Sequence, residues 1–377
     1  MRAINSSVMK QSNRKMVLEW IRRRPISRAE LSDCTQLTRA SITQIVDELM
    51  EEGLVTEIES VGRNKLGRKQ TQLAIVKDAM YIAGVNLRRR GYDLGVLNLA
   101  DEVLWQRSGA TLGREVRAVL DEIAAQLREG VRALQIPPER FYGVGVGAPG
   151  PLDRSSGVIL NPPDFAPWHN VPIVQQLRER TGWNVYLENI SNAHALEELY
   201  FGIGRDGVQN FMLLRVDEGV GAGIVLDGRL FSGPQGQCPE IGHVSIDRNG
   251  PLCACGRRGC WEQYISFPAV LRGTPFASWP QVIDQLDADP EADALFARMA
   301  ENLAFEIVNI VNVFGLDRIV LSGNLVCGGE HLADAVNRNL QGSCLWDMGE
   351  QPVLAGRKME TVRIAAMAAY HSIFSRC

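Results

Sequence analysis

Long apolar runs are absent from this 377-residue sequence. None approaches the roughly 20 residues a membrane-spanning helix needs, and Met1 to Asn5 lacks a charged-then-apolar signal opening. Insertion into a membrane is therefore not expected. Cysteine is sparse as well. There are eight, and Cys34, Cys327, Cys344 and Cys377 are scattered without a pairing pattern, which excludes a disulfide scaffold and points to a reducing, cytoplasmic setting. At roughly 150 residues per domain the length allows two or three domains.

Charge is unevenly spread. Residues 1–70 hold 13 of the 40 Lys and Arg against 9 of the 44 Asp and Glu, so this front carries +4 and the rest, 27 against 35, carries −8. A basic front on an acidic body suggests a nucleic-acid module attached to something else. Within it, Ser27-Arg28-Ala29-Glu30 reads as a capping box opening a short helix that runs to about Gln36, and Pro25 ends the helix before it. Thr38 can cap the next helix, where Ile42, Ile45, Val46, Leu49 and Met50 form a buried stripe and Gly53 is the stop. The opposite face shows Arg39, Ser41, Thr43, Gln44 and Asp47. Strands at 54–58 and 73–75 complete a winged helix-turn-helix, with the second helix entering the major groove by its N-terminal end. Between those strands, Arg63, Lys65, Arg68 and Lys69 lie in a glycine-spaced segment suited to a narrow minor groove. A solvated hairpin tip is the other reading; the helix beside it favours DNA contact.

From about Met80 the pattern changes to strands and glycine turns. Paired strands at 81–87 and 92–99, a helix at about 114–134 and a strand at 142–146 are followed later by the same grammar: strands at 211–216 and 223–228, a helix at 301–314 and a strand at 318–323. Two copies of one unit imply two α/β lobes facing a cleft. The expected domains are 1–76, 77–187 and 188–377, with the C-terminal helix free to return to the first lobe.

The remaining cysteines are concentrated. Cys253, Cys255 and Cys260 follow His243 within 18 residues, and three thiolates with one imidazole make a closed tetrahedral zinc site. Gly256 and Gly259 allow the tight knuckle. Reduced cysteines that merely lie close together are the alternative, which the compact spacing disfavours. Cys238 is a possible substitute ligand, but it lies on the wrong side of His243 and reads better as a buried small hydrophobe.

Together, Gly147-Ala148-Pro149-Gly150, Glu188-Asn189 through Asn192 to Gly202, Gly219 to Gly223, Glu240-Ile241-Gly242-His243 and the cysteine motif through Trp261-Glu262 strongly resemble the ROK family. That family groups bacterial sugar kinases with sugar-responsive repressors. The resemblance runs from about Ser12 to the C-terminus and implies an α/β chain: a winged helix-turn-helix followed by a two-lobed, actin-like sugar kinase fold with a structural zinc site. The winged helix in front is similar to the repressor branch, which includes glucose, N-acetylglucosamine and xylose repressors.

Departures from the kinases guide the functional expectation. Where a ROK kinase carries its aspartate base this chain has Ile190, and where the kinases have Asp-x-Gly-Gly-Thr it has Asn86-Leu87-Arg88-Arg89-Arg90. Neither phosphoryl transfer nor a catalytic residue is expected. The glycine turn 219–223 survives, as a nucleotide remnant or simply as a structural turn. The resemblance implies that Asn189, Glu240, His243 and Glu262 bind sugar hydroxyls, with Asn161 and Gly150 on the same wall, and that His243 serves both zinc and sugar. Ile190 favours a sugar lacking a free exocyclic hydroxyl. Arg88–Arg90 could instead meet a phosphosugar, although a solvated turn is the better reading. The expected partners are operator DNA, a sugar or sugar-phosphate effector, a second copy in a homodimer that can pair into a tetramer, and a sugar-transport protein. An active sugar kinase with an appended DNA-binding domain is the alternative; a sugar-independent docking platform is a third.

Overall fold

The computed structural model describes residues 6–59, 71–163, 165–233, 236–237, 239–343, 345, 349 and 351–375. The N-terminal head opens with α1 (Ser6–Arg23), α2 (Arg28–Thr35) and α3 (Arg39–Glu51), followed by β1 (Val55–Glu59) and β2 (Thr71–Ile75). The capping box forms. Glu30 N–H donates to Ser27 Oγ at 3.2 Å, and Ser27 N–H donates to Glu30 Oε2 at 2.9 Å. Thr38 Oγ1 accepts from Ser41 N–H at 3.2 Å and starts α3. Ile42, Ile45, Val46 and Leu49 are buried in α3, as are Val17, Leu18 and Ile21 of α1. Burying each such side chain stabilises by about 1.5–3 kcal/mol. Met50, expected in that stripe, is only half-buried. β1 and β2 pair antiparallel, Val55 opposite Ile75, and Ile26 adds a bridge to Leu73.

The chain divides into two compact units, Met1–Gly147 with Ile173–Leu187 and Thr361–Cys377, and Ala148–Pro172 with Glu188–Glu360. The cut expected after residue 187 is one of these boundaries, whereas the one at 76 is not, because the head shares the first unit, and residues 148–172 fall with the second. Long-range contacts of that kind leave no local mark in the sequence.

In the first unit, β3 (Tyr81–Leu87), β4 (Gly91–Asn98), β5 (Val103–Ala110), α4 (Val116–Ala133) and β6 (Phe141–Ala148) follow in order. The sheet order is β5-β4-β3-β6, closed by the strand Val185–Asn189. β3 runs antiparallel to β4 and parallel to β6. The C-terminal helix Thr361–Ser375 presses on the sheet backbone itself. A β-carbon at Gly84 would strike Val362 O and Ala366 N, and one at Gly145 would strike backbone atoms of Ala365, Ala366 and Ala369. Only glycine beneath and small residues above permit that approach.

The second unit repeats the plan. Strands Arg229–Phe231, Val220–Leu226, Phe211–Val216, Arg318–Gly323 and Val353–Ala355 form a sheet in that spatial order, antiparallel across its first two pairings and parallel across the last two. Its long helix runs Pro290–Phe314, eleven residues further upstream than the expected start at Glu301. Asp289 caps it, Pro290 takes the first position, where a missing N–H is harmless, and Ala292, Leu295, Phe296 and Met299 extend the buried stripe. Among the described residues no helix is long and apolar enough to cross a membrane.

Candidate functional site

The knuckle after His243 brings four ligand atoms together. His243 and Cys253, Cys255 and Cys260 place one donor atom each, all within 4.8 Å of one another. His243 Nδ1 is 3.6 Å from Cys253 Sγ, and Cys255 Sγ is 3.6 Å from Cys260 Sγ. Ligands bonded tetrahedrally at about 2.0–2.3 Å stand roughly 3.5–3.8 Å apart, so these spacings fit one ion. Cys253 N–H donates to Arg257 O, Gly259 has φ +66°, and a β-carbon on it would collide with Asp247 O. Trp261 is fully buried next to the last thiol, and its Nε1 donates to Asn302 O at 3.0 Å, tying the knuckle to the helix Pro290–Phe314. Cys238 lies outside the described residues.

Beside the knuckle sits a polar group. A β-carbon on Gly150 would collide with Glu240 Oε1 and Asn189 Nδ2, which places these three residues in contact. Asn189 caps the helix Ile190–Phe201, its Oδ1 accepting from Ser191 N–H at 2.8 Å, so its Nδ2 remains the donor on that side. Burial, and then the charge of Glu262, push the Glu240 carboxyl up to about 7. Near neutral pH it can therefore donate or accept. Glu262 is buried, and its Oε2 accepts from Val220 N–H at 3.0 Å. With Nδ1 of His243 on the thiol side, Nε2 faces elsewhere. Asn161 is exposed, and among the described residues no hydrogen bond ties it to this group.

Ile190 is buried at the first turn of its helix, and the acids Glu188 and Asp217 are both engaged. Glu188 accepts from Asn189 N–H at 3.0 Å, Asn192 Nδ2 at 3.1 Å and Arg154 Nη1 at 2.7 Å. Asp217 pairs with Arg215 at 2.5 Å and accepts from Asn324 N–H at 2.9 Å. Arg154 gives no sequence signal for its part in this shell. Gly221 and Gly223 lie so close to Ser191 and Ala195 that a β-carbon on either would collide, so close packing accounts for these two glycines. In the first unit Asn86 is buried with neither amide atom hydrogen-bonded among the described residues, while Arg88–Arg90 form the turn between β3 and β4, Arg88 pairing with Asp93 at 2.8 Å.

On the head, Arg39, Thr43, Gln44 and Asp47 of α3 are exposed and Ser41 is half-buried, its hydroxyl 2.9 Å from Thr38 Oγ1. Ala40 is exposed beside them. Arg28 holds Asp47 at 2.9 Å and Glu57 at 3.2 Å, fixing α2, α3 and β1 as one block. Arg63, Lys65, Arg68 and Lys69 lie outside the described residues.

Known proteins share these features. The sequence profile described as ROK family matches residues 92–363, and one described as MarR family matches residues 11–63. A xylose repressor of Caldicellulosiruptor bescii is 29% identical over 347 residues, covering 86% of each chain. A glucokinase of Thermotoga maritima is 31% identical over 271 residues, which is 67% of this chain and 84% of the kinase. The crystal structure of a ROK family transcriptional regulator, a homologue of the Escherichia coli Mlc protein, superposes with a TM-score of 0.81 at 25% identity and covers 97% of both chains. With a ROK match over most of its length behind a helix-turn-helix head, this chain belongs to the ROK family.

Proposed function

We propose that this protein is a cytoplasmic transcriptional repressor of carbohydrate-metabolism genes that holds operator DNA as a dimer and releases it when a sugar or sugar phosphate binds. Asn189, Glu240, His243 and Glu262, with Gly150 and Asn161 alongside, take the sugar hydroxyls; His243, Cys253, Cys255 and Cys260 hold a structural zinc ion. Arg39, Ser41, Thr43 and Gln44 read bases, and the wing cations Arg63, Lys65, Arg68 and Lys69 contact the backbone or minor groove. The observation that carries this reading is a polar group of Asn189, Glu240 and Gly150 next to a buried Ile190, with Glu188 and Asp217 both hydrogen-bonded. Such a site carries an apolar side chain where a ROK kinase carries its aspartate base.

Zinc would order the knuckle and fix the His243 ring through its Nδ1, leaving the other nitrogen toward the ligand. No proton needs to move. The relative from Caldicellulosiruptor bescii makes D-xylose the first effector to test, and an apolar Ile190 agrees with a pentose. A hydroxyl left unpaired against it costs about 1–3 kcal/mol.

The test measures operator affinity for wild type and Glu262→Gln, with and without D-xylose and the other sugars that raise the melting temperature. Sugar should weaken wild-type binding by about 5- to 150-fold, or 1–3 kcal/mol. Glutamine keeps an oxygen for Val220 N–H yet loses the charge and an acceptor, so Glu262→Gln should bind operator normally and respond weakly. A full sugar response in that variant would remove Glu262 from the effector site.

The kinase alternative is tested separately. Wild type with ATP, magnesium and the same sugars should give no sugar phosphate, and Ile190→Asp alone should not create the activity, because Asn86 and the Arg88–Arg90 turn are unchanged. Wild-type turnover abolished by a pocket substitution would favour the kinase.

A further inference from the structure

The head is joined to the rest of the first unit by more than its chain connection. Near the end of α1, Arg22 donates from Nε to Glu19 Oε2 at 3.0 Å and from Nη2 to Glu19 Oε1 at 2.6 Å. Its side chain is only 3% exposed, and the guanidinium lies 5.4 Å from the ring centroid of Tyr370 on the C-terminal helix. Asp101, in the turn after β4, adds its negative field to the same guanidinium. That aspartate is buried with φ +67° and accepts from Arg363 Nε at 2.8 Å. Arg363 and Tyr370 are seven residues apart and so share one face of the helix. Val362, Ala365 and Ala369 mark the other face, the one that meets Gly84 and Gly145. The C-terminal helix thus touches the sheet on one side and the head on the other.

A buried guanidinium tolerates little slack, because losing any partner leaves charge without compensation in a place water does not reach. A head on a free tether would need no such contact. We propose that Arg22 is a positioning residue that locks the head to the C-terminal helix, so that α3 takes its orientation from the sheet of β3 and β6. The inference rests on the reading of the head as a DNA-binding module.

The experiment uses the full-length protein as wild type, Arg22→Met, Arg22→Lys and Tyr370→Leu, the last leaving the Glu19–Arg22 pair intact if Arg22→Met does not fold. Amide hydrogen exchange should rise about tenfold or more in Arg22→Met at Val17–Arg23 and at Arg363–Tyr370 together, with Tyr81–Leu87 unchanged. Tyr370→Leu should show the same pattern, and Arg22→Lys should recover part of the protection. Affinity for a DNA sequence selected from random pools should fall about tenfold in Arg22→Met through lost preorganisation, while its salt slope stays the same because phosphate contacts are untouched. Faster exchange confined to the head, affinity within about twofold of wild type, or a slope reduced by about one would each overturn the lock. Wild type binding no selected DNA would sink the reading of the head; the exchange pattern would still decide the lock.

Discussion

Cys255→Ser should strip the metal from the protein. Purified wild type is expected to hold about one zinc per chain, and the variant close to none, by elemental analysis of protein never exposed to chelator. A serine hydroxyl is a poor substitute for a thiolate, and the three remaining ligands, His243, Cys253 and Cys260, form no closed shell. Structural zinc contributes about 10–16 kcal/mol in small peptides. Here the loss falls first on residues 243–261, and it reaches the core of the second unit only through Trp261, which is part of that core. Trp261, buried beside Cys260, should report it as a shift in fluorescence, and sugar binding should go with the metal because Glu240 and Glu262 flank the knuckle. Wild type free of metal yet binding sugar would sink both the zinc reading and its proposed link to the pocket.

Removal of residues 1–75 should abolish sequence-specific DNA binding while leaving sugar binding in place. The loss should be about 10³-fold or more, the usual gap between specific and non-specific affinity. Smaller changes divide the contacts. Gln44→Ala should relax base preference at one position by about 1–3 kcal/mol, whereas Arg68→Ala should weaken binding to all sequences and reduce the salt slope by about one. Operator binding that survived the deletion would show that the head does not read DNA.

Local signals carried most of what could be read beforehand. The head was legible because Ser27, Glu30 and Thr38 act within three residues of themselves. The cluster of His243, Cys253, Cys255 and Cys260 was legible because its members lie within 18 residues of one another. The pocket was less so: nothing in the sequence links Glu262 to Val220, 42 residues away, or Arg154 to Glu188, 34 away, and without the family resemblance those acids read as ordinary surface charge. The repeat of strands emerged, yet the first eleven residues of the helix Pro290–Phe314 did not, although Asp289-Pro290 was a start signal on the page. The return of the C-terminal helix to the first lobe was allowed for, but not the glycines it covers, because an alanine-rich segment does not name them.

That return imposes an order of events on synthesis. β3 and β6 leave the ribosome long before Thr361–Ser375, the helix that covers Gly84 and Gly145. At about 5–20 residues per second, some 10–40 s separate the emergence of residue 187 from that of residue 377. During that interval the head can fold on its own local contacts, while the first sheet waits with one face bare. A nascent or C-terminally truncated chain would thus carry a finished DNA-reading head on an unfinished body, and completion of the last fifteen residues of helix is what converts the two into one piece.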